Sequence, residues 1–224
     1  MHEKRGKKAF TAPESLLNDF ENTVVHDCWA SYFNINTSKH ALCGAHLIRE
    51  LNALEEQGAE SSKWAVWFRT FLLNLLKCTR HNIAPYENQL TPSQQKVASS
   101  FFDDLWQTAD EIEPKPIKRK NKRGKPKASK GRNLLKRFKL HKEAILAFAF
   151  DPLIPFTNNQ AERDLRPVKT KLKIAGSFRT FDGAKRFART FAFISTVRKH
   201  KRNVFKELKY VFQNEVSFLE NLST

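Results

Sequence analysis

The chain has 224 residues, 40% of them hydrophobic and 12% aromatic, with a formal charge of +17 at pH 7. That is enough apolar surface for one or two folded domains, which excludes a wholly disordered polypeptide. The longest apolar run, residues 144–150, falls far short of the ~20 residues that cross a bilayer, and no secretory leader pattern follows the basic N-terminus, so no membrane span is expected.

The basic excess is clustered. Residues 114–142 hold 14 basic side chains and no acid. Residues 163–206 hold another 14, against only Asp164 and Asp182. Two zones of this kind are the footprint of a polyanion-binding protein. Three cysteines, Cys28, Cys43 and Cys78, are too few and too scattered for a disulfide framework, and point to a reducing cytoplasm.

In chain order, residues 1–11 are basic and loose, and residues 15–20 can form a short helix. Thr23 to Asp27 reads as a buried strand ending on an acid, since Val24 and Val25 favour extended backbone. A second short strand is expected around His40 to Cys43. From Ala45 the period becomes helical. Leu47, Ile48, Leu51 and Leu54 share one face; Trp64, Trp67, Phe68, Phe71, Leu72 and Leu75 form a second, broader one. Thr91-Pro92-Ser93-Gln94 is a helix start: threonine caps, proline sits in the first turn, and glutamine reaches back. Val97, Phe101, Leu105 and Trp106 continue that helix. Residues 113–132 carry three prolines among lysines and only one large apolar residue, Ile117, so a basic disordered loop is expected there. Leu135, Phe138, Ile145 and Phe148 mark one further helix, ended by Asp151-Pro152. Asn158-Asn159 caps a helix carrying Glu162, which Pro167 ends or kinks, and residues 169–179 read as irregular. Two C-terminal helices follow. Ala184, Phe187, Ala188, Phe191 and Ile194 point inward on the first; Val204, Leu208, Val211, Phe212 and Leu219 do so on the second.

Asp27 closing a strand and Glu162 opening a helix are the residue types of a magnesium site for phosphodiester chemistry, because hard cations take oxygen ligands. Structural readings stand beside this. Asn159-x-x-Glu162 also fits a capping box, and Asp27 also fits a cap for the residues after it. Cys43-x-x-His46 and Cys78-x-x-His81 have a spacing that could build a zinc site, but the short loops of a zinc finger are absent and zinc is not expected.

The stretch from Pro155 to Lys169, with Asn158-Asn159-Gln160-Ala161-Glu162-Arg163, resembles the signature of insertion sequence 66 family transposases. Two further blocks fit the same family in the same order. One is His26-Asp27-Cys28-Trp29-Ala30-Ser31-Tyr32 followed by Cys43-Gly44-Ala45-His46-Leu47. The other runs from Gly176-Ser177-Phe178-Arg179 to Ile194-Ser195-Thr196-Val197-Arg198-Lys199. The resemblance implies a ribonuclease-H-like fold with a helical insertion, here mostly α with a small residual β-sheet. Residues 1–44 would hold the residual strands, 45–154 the insertion, and 155–224 the C-terminal core helices with the Glu motif. It also implies metal-dependent DNA strand cleavage and transfer at insertion-sequence ends, through an Asp-Asp-Glu triad binding magnesium or manganese. Asp27 matches the second acid and Glu162 the third, with His46 near the cutting centre. Arg163, Arg166, Lys169, Lys171, Lys173 and Arg179 would hold phosphates. The 118–137 zone would add sequence-blind attraction. Trp29 and Tyr32 read as core residues, with base stacking as the alternative.

No residue matches the first acid: Glu3, Glu14, Asp19 and Glu21 lie outside any apolar strand. The chain is therefore expected to be a truncated copy, inactive alone. Its partners would be DNA and, by resemblance, a further copy or a missing N-terminal half, in the bacterial cytoplasm at the nucleoid. The alternatives are an inactive DNA-binding remnant or modulator of an intact transposase, and a basic RNA-associated protein, for which no RNA-binding motif speaks.

Overall fold

The computed structural model describes Phe10, Ser15, Leu17 and residues 20–35, 39–80, 90–117 and 126–213. The expected helix at 15–20, the run 118–125, His81 and Leu219 lie wholly or mostly outside the described residues. The chain divides into two compact units: Gly6–Asn158, and Asn159–Thr224 together with Met1–Arg5. Both are mostly helical, and the first holds a two-stranded parallel sheet.

In the first unit, β1 (Thr23–His26) pairs with β2 (Lys39–Leu42), Thr23 opposite Lys39 and His26 opposite Leu42. The ladder runs one step further, Cys43 N–H donating to the His26 carbonyl at 2.8 Å. β1 ends one residue before the expected Asp27, and Cys28, at φ 64°, leaves extended backbone altogether. Helices α1 (Gly44–Glu55), α2 (Trp64–Arg80), α3 (Pro92–Ile112), α4 (Lys130–Leu140) and α5 (Lys142–Phe150) follow.

Their apolar faces build one core. α1 contributes Leu47, Leu51 and Leu54; α2 contributes Trp64, Phe68 and Leu72. Phe68 meets Phe102 of α3 and Phe138 of α4 edge-on, at 5.2 and 4.9 Å between ring centres. On α3 the ridge turned inward is Ala98, Phe102 and Ala109, whereas Val97 and Phe101 are exposed. The expected capping box is present: Thr91 Oγ1 accepts from Gln94 N–H at 3.3 Å, and Thr91 N–H donates to Gln94 Oε1 at 2.9 Å. The single helix expected over residues 135–148 is broken at His141 (φ −117°), whose ring stacks on Phe33 at 4.1 Å and so holds the chain out of helical geometry. Asp151 is extended before Pro152, as a residue preceding proline should be.

The basic segment after α3 is anchored at both ends, contrary to a loop loose over the whole of 113–132. Glu113 and Arg132 are 3% and 4% exposed. Glu113 Oε2 accepts from Trp64 Nε1 at 2.9 Å and Oε1 from Ser129 Oγ at 2.6 Å. Arg132 pairs with Asp110 and donates to the Glu113 carbonyl. These polar groups come from three helices and their caps, which is how a proline- and lysine-rich segment obtains buried anchors without an apolar core of its own.

The second unit holds α6 (Asn159–Ala175), α7 (Phe181–Lys199) and α8 (Val204–Phe212). Pro167 does not end α6, and the stretch after it is helical to Ala175 rather than irregular. Proline inside a helix removes one backbone hydrogen bond, here to the Arg163 carbonyl, while Gly176 at φ 70° supplies the stop. On α7, Ala184 is buried and Phe187, Ala188, Phe191 and Ile194 are half-buried. On α8 the expectation fails at Phe212, which is 84% exposed, and at Val211, 46% exposed. Among the described residues only Ala184, Val197 and Glu207 of this unit are buried, so it has too little core to draw those side chains inward.

Candidate active site

Parallel strands place their carboxyl ends together, and loops after such ends are where open α/β sheets hold ligands. Asp27 follows β1 there. Its carboxylate is exposed, with Oδ1 accepting from Trp29 N–H at 3.3 Å. The left-handed backbone at Cys28 makes this return possible. Asp27 thus caps the turn after it, as the structural reading expected, while still facing solvent.

Behind Asp27, His26 is 2% exposed. Its Nδ1 accepts from Cys28 N–H at 3.2 Å, so the neutral ring carries its proton on Nε2 and donates to His40 Nδ1, also at 3.2 Å. Tyr32 stacks on the ring at 4.9 Å and Phe33 meets it edge-on. Tyr32 and Trp29 are half-buried in this aromatic cluster. Burial, first, and the neighbouring His40 push the His26 pKa down to about 4, against a smaller upward pull from Asp27. Burial also lowers the His141 pKa and raises that of the Cys28 thiol.

This has a sign. Between about pH 6.5 and 4 the unfolded chain binds a proton that the folded chain refuses, so His26 weakens folding as pH falls through that window and has no such effect above it. Full traversal is worth about 3 kcal/mol, at ~1.4 kcal/mol per pH unit. Urea unfolding in EDTA should show a midpoint that drops from pH 7 to 4.5, with the drop reduced in His26→Phe. A flat profile would contradict the assignment.

Cys43, 1% exposed, joins three segments. Its N–H reaches His26, the next residue's N–H (Gly44) donates to the Phe156 carbonyl at 2.7 Å, and its Sγ accepts from Asn158 N–H at 3.4 Å. A Cβ on Gly44 would stand 2.1 Å from the Phe156 ring, so only glycine permits this approach. Three stretches singled out in the sequence, around residues 26–28, 43–46 and 155–158, therefore meet within the first unit. His46 lies in the first turn of α1, half-buried. Asn158 Oδ1 is buried and accepts no hydrogen bond among the described residues, so this side chain does not cap α6. Its backbone is committed to Cys43 instead. Cys78, by contrast, is exposed on α2.

In the second unit, Glu162 sits in the first turn of α6, where the helix dipole favours an acid. Asp164 faces α7: Oδ2 accepts from Lys199 at 2.5 Å and Oδ1 from Ser195 at 3.3 Å. The Lys199 hydrogen bond holds its pKa below the usual carboxylate range. At about 100° per residue, Glu162 projects roughly 160° away from Asp164, on the face opposite that contact. Arg166, Lys169 and Lys173 follow Glu162 at i+4, i+7 and i+11 and share its face. Arg163 lies to one side, Lys171 on the far side, and Arg179 beyond the helix; all six cations are exposed. Two arginines of the other basic zone are spent internally: Arg132 on Asp110, and Arg137 on Glu50. They cannot serve the general attraction expected of residues 118–137, whereas Lys136 and Lys139 are exposed.

The family model described as Transposase IS66 family matches residues 1–186. The chain belongs to that family. No curated protein and no solved structure matches it. Membership makes transposition the general activity of this IS66-family chain and DNA the polymer it acts on. A divalent metal is the general cofactor of such chemistry. Among the described residues no group of three or more His, Cys, Asp and Glu side chains is placed to hold a metal, and no helix is long and apolar enough to cross a membrane.

Proposed function

We propose that this chain is the catalytic region of a transposase that cleaves and transfers DNA strands at insertion-sequence ends, with Asp27 and Glu162 as two of its three acids. The observation that carries the reading is the junction at Cys43, where the Asp27 turn, the start of α1 and Asn158 are tied by hydrogen bonds. The two-stranded sheet with an acid past its carboxyl end is read as part of a ribonuclease-H-like core.

Asp27 fits magnesium or manganese, since its carboxylate is exposed and oxygen is the donor these ions take. Bound there, the ion would neutralise charge developing on the scissile phosphate. Asp27 and Glu162 would hold it, and His46 would position the phosphate beside them. Arg166, Lys169 and Lys173 would grip the backbone along the Glu162 face, with Arg163, Lys171 and Arg179 contributing from the sides.

Residues 1–224 offer no third acid in an apolar strand, so cutting by these residues needs a carboxylate from outside them. Purified chain should bind duplex ends in a salt-sensitive manner and leave them uncut in magnesium. Metal-dependent cleavage abolished by Asp27→Asn would overturn this incompleteness while keeping the site. Cleavage unaffected by either Asp27→Asn or Glu162→Gln would overturn the site itself. The exposed cations Arg166, Lys169 and Lys173 also fit a second reading, a DNA-binding modulator of an intact transposase. It predicts that adding the chain changes the activity of a complete enzyme at the same ends.

The basic face has its own test. Each phosphate contact contributes about 0.9 to the slope of log K against log salt. Replacing Arg166, Lys169 and Lys173 with glutamine should flatten that slope by about 3 if all three engage. An unchanged slope would remove α6 from the interface.

A further inference from the structure

Arg137 of α4 is half-buried, and its guanidinium is held from two sides. Nη1 donates to Glu50 Oε1 on α1 at 3.2 Å, and Nη2 donates to Glu50 Oε2. A guanidinium paired through both prongs has one orientation, which a lysine ammonium would not have. The same guanidinium reaches the Cys28 side chain. The helical stretch that separates Asp27 from Glu162 in sequence thus returns to the residue next to Asp27.

Cys28 is where such a contact has most leverage. Its φ of 64° lies in the left-handed region, which a residue other than glycine adopts at a cost and keeps only where its surroundings hold it. One hold is its backbone N–H, which donates to His26 Nδ1 at 3.2 Å. The other is its side chain, packed against the core and met by Arg137. This backbone turn is also what lets Trp29 N–H reach Asp27 Oδ1 at 3.3 Å. The direction of the Asp27 carboxylate therefore depends on Cys28. Charge argues for orientation rather than a phosphate contact, because Glu50 offsets the guanidinium and a cation can approach Asp27 without meeting an unpaired arginine.

We propose that Arg137 is a positioning residue for Asp27, fixing through Cys28 the turn on which the carboxylate stands, with Glu50 aiming the guanidinium. The role rests on reading Asp27 as a metal ligand. Asp27, Cys28, Glu50 and Arg137 all belong to the first unit.

The test uses the full chain, isotope-labelled for amide exchange. Arg137→Gln and Arg137→Lys should each speed exchange at Trp29 roughly tenfold, about what one lost hydrogen-bonded contact allows, while the core amides of Leu51 and Phe68 stay slow. Cys28→Ala should do the same, and adding Arg137→Gln to it should bring no further change, because both remove one contact. An arginine with a merely structural role would instead loosen the core amides too, or yield to lysine without loss. If the arginine variants lose their helical circular dichroism, Glu50→Gln, which leaves Arg137 present but unaimed, decides together with Cys28→Ala. Manganese then reads the carboxylate itself. Paramagnetic broadening at Trp29 should need severalfold more manganese in Arg137→Lys than in the wild type, and should vanish in Asp27→Asn. Broadening that is absent from the wild type or survives Asp27→Asn would overturn Asp27 as the ligand, and the exchange rates would still decide whether Arg137 holds the turn. Unchanged exchange at Trp29, additive effects of the Arg137 and Cys28 variants, or an equal manganese requirement in wild type and Arg137→Lys would each overturn the positioning role.

Discussion

Glu113→Ala is expected to destabilise the first unit by about 3–5 kcal/mol, the range for removing one partner from a buried charged network. The carboxylate is a hub rather than a single contact. Trp64 Nε1, Ser62 Oγ and Ser129 Oγ all donate to it, and Arg132 donates to the carbonyl of the same residue. Trp64 is fully buried, so its indole N–H would lose its acceptor where water cannot replace it. Ser129 also caps α4, accepting from Arg132 N–H at 2.8 Å, and the carboxylate lies against the first turn of that helix, where a negative charge is favoured. A Cβ on Gly131 would meet Glu113 Oε2 at 2.5 Å, so the fit is close on that side as well.

Glu113→Gln keeps the shape and one acceptor, and should cost about 1–2 kcal/mol, nearer one lost hydrogen bond. Arg132→Met should fall between the two, because it leaves Asp110 and the Glu113 carbonyl without their guanidinium but adds no cavity. Urea unfolding followed by tryptophan fluorescence reads all three. Equal effects for Ala and Gln would show that side-chain volume, not the charged network, sets the stability here.

Why this hub escaped the sequence is physical. Glu113 precedes Pro114 in a lysine-rich run, and local composition there says solvent. Its donors lie about fifty residues back, at Ser62 and Trp64, and sixteen ahead, at Ser129. Nothing in local spacing encodes such meetings. Features that depend on near neighbours were legible: the Thr91 capping box, the β-branched strand before Asp27, and the stop at Asp151-Pro152. The break at His141 was not, because the apolar residues on either side keep helical spacing and the ring that interrupts them stacks on Phe33, over a hundred residues away in sequence. The same holds at Pro167. A local rule says stop, yet the residues after it have helical propensity enough to continue to Ala175. The Glu162 stripe with Arg166, Lys169 and Lys173 follows from this continuation; an irregular segment would have scattered those cations. Asp27, Cys43 and Asn158 were picked from the sequence by their blocks. Their meeting depends on sulfur and backbone contacts across more than a hundred residues, which no spacing reveals.

Gly44→Ala tests that meeting directly. The new methyl would overlap the Phe156 ring at 2.1 Å, closer than van der Waals contact permits, so something must move. Backbone is pinned on both sides: Gly44 N–H to Phe156, and Cys43 N–H to His26. The ring is 7% exposed and packs edge-on against Phe148 at 4.7 Å, so it cannot simply rotate to solvent. Overpacking of this kind costs about 1–3 kcal/mol, and more where the neighbours are fixed. The expected result is a loss near the top of that range, with residues 155–158 displaced from Cys43 before the helical core melts. Amide exchange should detect the displacement as faster exchange at Gly44 and Asn158, with Phe68 and Phe138 unaffected. Phe156→Ala alone should also destabilise, by about 3–5 kcal/mol for a buried aromatic. In combination the two should cost less than their sum, because the smaller side chain makes room for the methyl. Strict additivity would mean that Gly44 is required for some reason other than the approach of Phe156. Should the double variant recover stability without recovering slow exchange at Asn158, packing at Phe156 and the tether to Cys43 would be separable. DNA binding by that variant would then measure what the tether alone contributes.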